Sequence, residues 1–600
     1  MMNRSMGWVG VGVMMGTIGI TSPASAEQPL SVVYPPDNHE TTAARIFLIG
    51  TAPPTGEVTV NGQPIERSAA GHFAPSFLLQ MGENTLTLKY GSQTLTLHVT
   101  RTSDAPPAPV GVAFATDSLT PAVDIARLPN EPICFSAVAP PSATVSVLLN
   151  QQSIPLLPQP ASASLPPNSA VLTLQNQPVT GGAIATYRGC TTTATPGLLG
   201  TPEFRLSLNG QTFKQAGTGK VEILSPTQLQ VVEVTAGSGA TRTGPSTDYS
   251  RLTPLPKGTR ATVTGRDGEW LRLDYGVWIQ ASETQIISNA APPQTLIRSI
   301  RATQTDGWTD IQFPLQVPVP FTVQQDDRTF TLTLYNTTAQ TDTILLSDDP
   351  IIQRLDWQQT TPGQVQYTFH LKTDQQWGYK LRYEGTTLIL SLRHPPTLGT
   401  NRLPLTGIRV MLDPGHGGPE DLGSRGPTGT AEKDVALTLA KLLRDRLEAR
   451  GAMVSLTREA DIDLDLRPRI DAINQAEPTI ALSLHYNALP DNGNAEQTAG
   501  VGAFWYNPQA HSLAMFLHHY LTQNLDRPSY GVFWNNLALT RPTVAPTVLL
   551  ELGFMINPTE FEWVTDPRQQ EKLAEALAAG VTDWLRTRTE EDQAMRNEGK

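Results

Sequence analysis

The sequence is poor in charge for a chain of its length. Only 16% of its 600 residues are charged, while 50 are prolines, a balance that favours many short strands and linkers over long solvated helices. The formal net charge of −12 argues against a nucleic-acid partner and against a basic patch facing a membrane surface. Because a single hydrophobic core stops growing well before this length, we expect several domains.

Long apolar runs are also missing, apart from one near the N-terminus. Arg4 precedes an almost wholly apolar stretch from Val9 to Ile20, and Ala24-Ser25-Ala26 fits a small-residue cleavage site. We therefore expect residues 1–26 to be a signal peptide and the protein to be exported to the periplasm or cell envelope. The alternative is an N-terminal membrane anchor, but the run falls short of the roughly 20 residues that a span needs. No later stretch predicts a span.

Cysteine is scarce, with only Cys134 and Cys190 in the whole chain. Neither has the spacing of a metal or redox motif. In an oxidising compartment a disulfide between them is one interpretation, and two unpaired buried thiols are the other. Both lie in or beside strand-like runs, so we expect them in one β domain.

Short alternating strands and turn signals fill the first part of the chain. Val58-Thr59-Val60 followed by Asn61-Gly62 is a strong hairpin signal. The strand pattern recurs at Val145-Ser146-Val147. Residues 27–105 therefore resemble an immunoglobulin-like β-sandwich, and residues 118–226 predict a second β-sandwich of the same kind.

Two further β modules are predicted downstream. In residues 229–290 the turn Asp267-Gly268 separates strand-like runs rich in aromatic residues, and this stretch resembles the bacterial Src-homology-3-type barrel of wall-active enzymes. Residues 296–396 resemble an AMIN module, a β-sandwich linked to envelope targeting. Tryptophans such as Trp278 and Trp357 could stack on a glycan or pack in a core, and the sequence leaves both interpretations open.

From residue 404 apolar residues recur at helical spacing between short strands. This alternation predicts an α/β domain over 404–588, with a mainly parallel sheet covered by helices on both faces. A closing helix is expected from Leu573 to Leu585, followed by a polar, frayed tail over 589–600.

Three strands of this domain end on a histidine or a glutamate. Val410-Met411-Leu412 leads through Asp-Pro-Gly to His416, and two later apolar runs end on His485 and Glu551. Glu432 opens a helix. In an open α/β sheet ligands collect outside the carboxyl ends of the strands. Two histidines and a carboxylate there predict a zinc site with an open position, and a further glutamate provides a base.

Each of these residues also has an ordinary structural explanation. His485 could be a core histidine, and a carboxylate at position 432 is favoured by the helix dipole alone. The glycine-rich loop is not a phosphate-binding loop, because no Gly-Lys-Ser/Thr follows it. The combination at one sheet edge favours the site.

Residues 408–585 resemble the zinc-dependent N-acetylmuramoyl-L-alanine amidases of cell separation and sporulation. The matching motifs are Asp413-Pro414-Gly415-His416-Gly417-Gly418, Glu432-Lys433-Asp434, Thr457-Arg458, Ser483-Leu484-His485-Tyr486-Asn487-Ala488 and Glu551-Leu552-Gly553-Phe554 with Asn557-Pro558. The resemblance implies one zinc ion on His416, Glu432 and His485, and catalysis by Glu551. It implies hydrolysis of the amide between N-acetylmuramic acid and the L-alanine of the stem peptide, in wall remodelling or daughter-cell separation.

Other expectations concern the surroundings of the site. Arg458 and Asn487 are predicted to contact substrate or support a ligand. Tyr486 and the acidic pair Glu420-Asp421 depart from the family pattern and could alter substrate fit. The turn-rich stretch 489–500 predicts no helix inserted over the cleft.

Two other functions are compatible with parts of the sequence: a metallopeptidase that cuts within the stem peptide, and a non-catalytic envelope-binding protein. The second would need a broken site, and all four site residues are present. Peptidoglycan is the expected partner, together with unidentified division or envelope proteins.

Overall fold

The structure is a computed structural model that describes residues 29–103, 109, 111–159, 163–164, 179–180, 185–346, 348–399 and 403–598. The predicted signal peptide, residues 1–26, lies outside the described residues. A large all-β region precedes a C-terminal α/β domain, as the sequence predicts. Within the described ranges, none of the helices combines the length and apolar character needed to cross a membrane.

The first β unit encloses its own small core. Its two main sheets have the orders β1-β4-β7 and β2-β10-β9-β5-β6, with a short β3-β8 pair beside them. Along β9 and β10 the leucines and valines point inward and the threonines outward, which is the period-two pattern of a half-buried strand. The strands are β1 Ser31–Tyr34, β2 His39–Thr41, β3 Arg45–Phe47, β4 Ile49–Thr51, β5 Val58–Val60, β6 Gln63–Pro64, β7 His72–Phe73, β8 Ser76–Leu78, β9 Gly82–Tyr90 and β10 Gln93–Arg101.

The second and third β units share a sheet. Strand β11 of the second unit pairs antiparallel with β25 of the third, so one sheet runs in the order β18-β21-β11-β25-β22-β28 across the predicted boundary between 226 and 229. The ion pairs Arg127–Asp267 (2.9 Å) and Arg272–Glu131 (2.7 Å) join the same two units. The strands are β11 Ile125–Arg127, β12 Ile133–Ala139, β13 Thr144–Leu149, β14 Gln152–Pro158, β15 Ala163–Ser164, β16 Val179–Thr180, β17 Ala185–Thr191, β18 Gly197–Gly200, β19 Glu203–Leu208, β20 Gln211–Ala216, β21 Val221–Ile223, β22 Val231–Val234, β23 Ser238–Gly239, β24 Leu255–Pro256, β25 Arg260–Asp267, β26 Trp270–Leu273, β27 Trp278–Gln280 and β28 Thr284–Ile287, with a 3-10 helix at Ala281–Glu283.

Both cysteines lie in the second unit on one antiparallel pair. Cys134 on β12 stands opposite Cys190 on β17, and the two form a disulfide. The bridge therefore ties together two strands that are 56 residues apart in sequence.

The fourth β unit is a sandwich of two antiparallel-rich sheets. Their orders are β33-β29-β30-β37-β36 and β31-β32-β35-β34, and residues such as Phe313, Phe330 and Tyr367 fill the space between them. The strands are β29 Thr295–Thr305, β30 Trp308–Pro314, β31 Phe321–Asp326, β32 Thr329–Tyr335, β33 Thr337–Leu345, β34 Ile352–Thr361, β35 Gln364–Leu371, β36 Tyr379–Glu384 and β37 Thr387–Arg393.

The α/β domain has a six-stranded sheet of order β39-β38-β40-β43-β41-β42, in which only the β41–β43 pair is antiparallel. Alternate strand residues enter different cores. Leu412, Leu482 and Leu550 face helices α1, α3 and α5, whereas Met411 and Leu549 face α2. The elements are β38 Arg409–Pro414, α1 Glu432–Glu448, β39 Met453–Leu456, α2 Leu466–Ala476, β40 Ile480–Asn487, β41 Val501–Trp505, α3 His511–Asn524, β42 Ser529–Trp534, β43 Thr547–Phe554, α4 Pro558–Thr565 and α5 Pro567–Glu598, with 3-10 helices at Pro508–Ala510 and Ala538–Thr540.

The end of the chain differs from the prediction. Helix α5 begins at Pro567 and continues to Glu598, so residues 589–598 are helical and the predicted helix end near Leu585 is wrong. The side chain of Thr589 is buried, and its hydroxyl donates to the Leu585 carbonyl at 2.8 Å. The polar residues that follow are good helix formers, which is why polarity alone was a poor stop signal.

The fourth β unit and the α/β domain share hydrophobic cores. Trp377 is 2% exposed and packs on Trp584 of α5, with ring centroids 5.4 Å apart. Trp308 joins the core beneath α2, and Lys380 lies 4.0 Å over its ring while pairing with Glu477 at 2.7 Å. These contacts lie at the amino-terminal ends of β40 and β43.

The first β unit packs at the opposite, carboxyl-terminal edge of that sheet. Phe47 and Ile49 share an apolar cluster with Phe554 and Ile556, which follow β43 or end it. His39 lies 3.0 Å from Asp491 in the loop after β40, and the Tyr34 hydroxyl bonds the same carboxylate. Residues 488–500 contain no helix, as predicted, but a β unit covers part of this loop.

We expect Trp377→Ala to destabilise the α/β domain although Trp377 belongs to the β region. Removing a fully buried indole costs about 3–5 kcal/mol. The matched control is Trp357→Ala in the same β unit, because Trp357 is 39% exposed and the change should stay within about 0.5 kcal/mol. Thermal and urea unfolding of both variants measure the difference. Equal losses would contradict the shared core.

The disulfide gives a second prediction. Alkylation of the denatured, unreduced chain should modify no cysteine, and reduction first should expose two, as read by mass spectrometry. Losing the bridge through Cys190→Ala should cost about 4 kcal/mol in the chain-entropy model for a closed segment of this length. Two alkylated cysteines without reductant would overturn the assignment.

Candidate active site

Three strands end and one helix begins at the carboxyl-terminal edge of the sheet. His416 lies two residues after the end of β38, His485 lies near the end of β40, and Glu551 lies in β43 in register with His485. Glu432 is the first residue of α1, whose backbone begins at this edge. The topology thus brings four side chains to one place from positions far apart in sequence.

The Glu432 carboxylate is the centre of this cluster. Its Oε1 lies 3.2 Å from Nε2 of His416 and 3.1 Å from Nδ1 of His485. Oε1 also accepts from the Tyr486 amide at 2.9 Å, and Oε2 accepts from the Ser424 amide at 2.8 Å. One potential ligand atom from each of His416, Glu432 and His485 lies within 4.8 Å of the others.

The loop around His416 needs small residues and a strained backbone. His416 has φ 56°, in the left-handed region that few non-glycine residues adopt. A Cβ added at Gly415 would lie 2.3 Å from the His485 ring, and one at Gly423 would lie 2.6 Å from the His416 ring. The glycines therefore make room for the two imidazoles.

Burial and close pairing shift the pKa of each charged group. Burial disfavours the charged form of His416, but hydrogen bonds to Glu432 and Asp421 outweigh it and raise the pKa of this histidine to about 9. Burial opposes ionisation of Glu432 as well, yet the two imidazoles hold the pKa of its carboxyl well below the usual range. The carboxylate is thus an anion shared by two histidines, a donor set suited to a divalent cation.

Glu551 has a different environment. Burial raises the pKa of its carboxyl to about 7, and its buried Oε2 has no hydrogen-bond partner within the described residues. An unpartnered buried carboxyl oxygen is costly, so it marks a group reserved for a ligand or a reacting proton.

Known proteins match this part of the chain. The family model for N-acetylmuramoyl-L-alanine amidase matches residues 410–583. The germination-specific N-acetylmuramoyl-L-alanine amidase of Bacillus subtilis (strain 168) is 33% identical over 205 residues, which are 30% of this chain and 82% of the relative. The probable cell wall amidase LytH of Staphylococcus epidermidis is 30% identical over 217 residues, 36% of this chain and 69% of the relative.

The chain belongs to the N-acetylmuramoyl-L-alanine amidase family. It is a peptidoglycan hydrolase that cleaves the amide between N-acetylmuramic acid and L-alanine, and it acts in cell wall processes. Among solved structures, the amidase AmiC2 of Nostoc punctiforme is similar at 29% identity, covering 30% of this chain and 97% of that one with a TM-score of 0.28.

The two other predicted site residues, Arg458 and Asn487, lie next to this cluster. Arg458 is buried and donates to the carbonyls of Pro414 and Gly415, at 3.0 and 2.8 Å. Asn487 accepts from the Ala488 amide at 2.8 Å, while its buried Nδ2 has no partner in the described part of the chain. Asp421, one of the two acidic residues that depart from the family pattern, lies 2.6 Å from Nδ1 of His416.

Arg469 was missed by the sequence reasoning. Its guanidinium is buried in α2, pairs with the buried Asp413 at 2.9 Å and donates to the His416 carbonyl at 2.6 Å. A signal was available, because Arg469 lies four residues before Ile473 and so on the same face of α2, and both residues are buried. A charge at a core position needs a buried partner.

We expect Arg469→Met to destabilise the amidase strongly. It leaves Asp413 buried without its ion-pair partner, a loss worth about 3–5 kcal/mol. Arg467→Met, two residues away on the same helix, removes only an exposed pair with Asp471 and should change stability by no more than about 0.5 kcal/mol. Denaturant unfolding of both variants tests this. Similar unfolding midpoints for the two variants would show that Arg469 does not stabilise the core.

Proposed function

We propose that the amidase is a zinc enzyme whose metal is held by His416, Glu432 and His485. The observation that carries the proposal is the convergence of three donor atoms within 4.8 Å beside Oε2 of Glu551, which has no hydrogen-bond partner in the described ranges. Two imidazole nitrogens and one carboxylate are a donor set that zinc prefers in hydrolases. A bound zinc ion would polarise the scissile carbonyl and lower the pKa of the attacking water toward about 7.

Glu551 is the general base in this proposal. Its carboxyl takes the proton of the attacking water and passes it to the leaving nitrogen of L-alanine. Its buried Oε2 is free of other hydrogen bonds among the described residues, which leaves it available for this transfer. The C–N bond breaks, the lactyl group becomes a carboxylate, and the peptide leaves with a free amine.

Neighbouring groups orient the proposed ligands. Asp421 fixes the His416 ring through Nδ1 and so directs Nε2 toward Glu432. The amides of Tyr486 and Ser424 hold the two oxygens of Glu432. Arg458 and Arg469 do not contact Glu432 but donate hydrogen bonds to backbone carbonyls of the loop that carries His416.

The β region is proposed to deliver this activity to the wall. Residues 27–105 and 118–226 are assigned as immunoglobulin-like sandwiches, 229–290 as a bacterial Src-homology-3-type barrel and 296–396 as an AMIN-like unit. Export by the predicted signal peptide, to the periplasm or cell envelope, is part of the same proposal, because peptidoglycan lies outside the cytoplasm. Division or envelope proteins are the proposed partners.

Substitutions in the full-length protein separate metal binding from catalysis. His416→Ala and His485→Ala should each lose both zinc and activity, since three ligands are needed for the open site. Glu551→Gln should keep about one zinc per chain while its rate falls roughly 10²–10⁴-fold, the usual contribution of a general base. Metal analysis gives zinc content, and mass spectrometry of digested peptidoglycan gives the rate and identifies peptides with a free L-alanine amine.

The exposed His519 on α3 offers a matched control, and His519→Ala should retain zinc and rate. Zinc lost from Glu551→Gln would make this glutamate a ligand. Near-normal turnover in Glu551→Gln would show that another residue is the general base. Full activity after exhaustive chelation would reject the zinc proposal altogether.

A further inference from the structure

A cavity of about 650 Å³ lies where three parts of the amidase meet. We call it the three-domain cavity. Its walls come from the third β unit, from β31 and β36 of the fourth, and from the α/β domain through α2 and the segments after β41 and β42. Its volume is within the range of about 300–1,000 Å³ that small-molecule sites occupy. It is separate from the active-site cluster, whose four residues do not line it.

Two arginines in this cavity form no salt bridge with any acidic residue that the structure describes. In the described part of the chain Nε of Arg251 is buried without a hydrogen bond. Among the described residues, Arg541 donates only to Asn536, to its side chain at 2.7 Å and to its carbonyl at 2.8 Å. Both line the cavity. Burial, together with the nearby charges of Arg251 and Arg242, lowers the pKa of Arg541 to about 10, as expected of clustered cations.

The cavity's carboxylates do not neutralise this pair. Asp471 already pairs with Arg467 at 3.3 Å. Glu283 accepts from the Ala240 amide at 2.9 Å, and although its charge favours the ionised form of Arg251, it makes no salt bridge to it within the described residues. Arg251 and Arg541 are half-buried. A cation partly removed from water without an acidic partner among the described residues favours an anionic ligand.

An exposed aromatic face stands at the same cavity. Trp534 ends β42 and is 63% exposed, yet it is fixed in place. Its ring stacks on Tyr506 with centroids 5.5 Å apart and planes 26° apart, and its Nε1 donates to the Tyr506 carbonyl at 3.0 Å. A rigid indole that offers a face to solvent is a platform for a flat, partly apolar ring. The C–H face of a pyranose meets that requirement.

We propose that the three-domain cavity binds a saccharide that carries a carboxylate, with Arg251 and Arg541 holding the carboxylate and Trp534 stacking on the sugar. The reaction of this enzyme creates such a ligand. Water adds across the C–N bond, the acyl carbon keeps an oxygen as the lactyl carboxylate of N-acetylmuramic acid, and the amine of L-alanine keeps a proton. The uncut amide has no charge at this position.

The cavity therefore distinguishes the glycan product from the substrate. A strand that has lost its peptides carries a row of lactyl carboxylates, whereas an intact strand carries amides. Binding the product away from the active site would hold the amidase on glycan that it has already stripped, next to strands still to be cut.

Isothermal titration calorimetry with the full-length protein tests the proposal. The probe is the disaccharide of N-acetylglucosamine and N-acetylmuramic acid with a free lactyl carboxylate, which the enzyme cannot cleave. We expect it to bind at least tenfold more tightly than the neutral disaccharide of N-acetylglucosamine and than a free stem peptide. Equal binding of the neutral sugar, or preferential binding of the peptide, would overturn the proposal.

Variants locate the binding. Arg541→Gln and Trp534→Ala should each weaken the disaccharide at least tenfold, whereas Arg354→Gln and Trp357→Ala, at exposed positions of the fourth β unit, should not. Trp534 is exposed, so its loss tests the site even if Arg541→Gln disturbs folding. His416→Ala should leave this binding unchanged. Binding that is lost in His416→Ala but kept in both cavity variants would place the sugar in the active site instead and reject the proposal.

Discussion

The proposed active site depends on one buried carboxylate that is shared between two imidazoles. Glu432 is 3% exposed, and its charge is stabilised by His416, His485, two backbone amides and the Ser424 hydroxyl, which converge on it. This requirement explains why the loop after β38 contains glycines, why His416 adopts a left-handed backbone and why α1 begins where it does. Without a cation or these imidazoles, a carboxylate at this depth would carry a large desolvation cost.

A second layer of charge holds the first in place. Asp413 lies beneath the loop. Burial opposes its ionisation, but the charge of Arg469 and hydrogen bonds from Thr457 and Ser483 keep its pKa low. Arg469 also donates a hydrogen bond to the Pro414 carbonyl, and Arg458 donates one to the Gly415 carbonyl. These bonds satisfy buried carbonyls of the loop. Arg458 and Arg469 therefore hold the loop that carries His416, one of the histidines on Glu432. The geometry of the site and the stability of the domain depend on the same hydrogen bonds.

The convergence of the four residues could be predicted because its signals are local. An apolar strand that ends on a histidine or glutamate is visible in sequence, and parallel strands must bring such ends to one edge. Arg469 is harder to recognise, since its role follows from the burial of Asp413 rather than from its neighbours. The Trp377–Trp584 contact and the sheet that joins β11 to β25 could not be predicted at all. They depend on how separate units meet, which no short sequence pattern encodes.

Because the fourth β unit and the α/β domain share hydrophobic cores, the boundary predicted between them does not separate two independently packed domains. A cut near residue 404 looks safe from composition, yet it would expose Trp584 of α5 and the core beneath α2 that Trp308 completes. The fourth β unit thus closes the amino-terminal edge of the catalytic sheet, while the first unit contacts the carboxyl-terminal edge beside the site. The β region is therefore part of the structural support of the amidase and not a string of independent adaptors, because the sheet that carries the four site residues is packed from both ends by it.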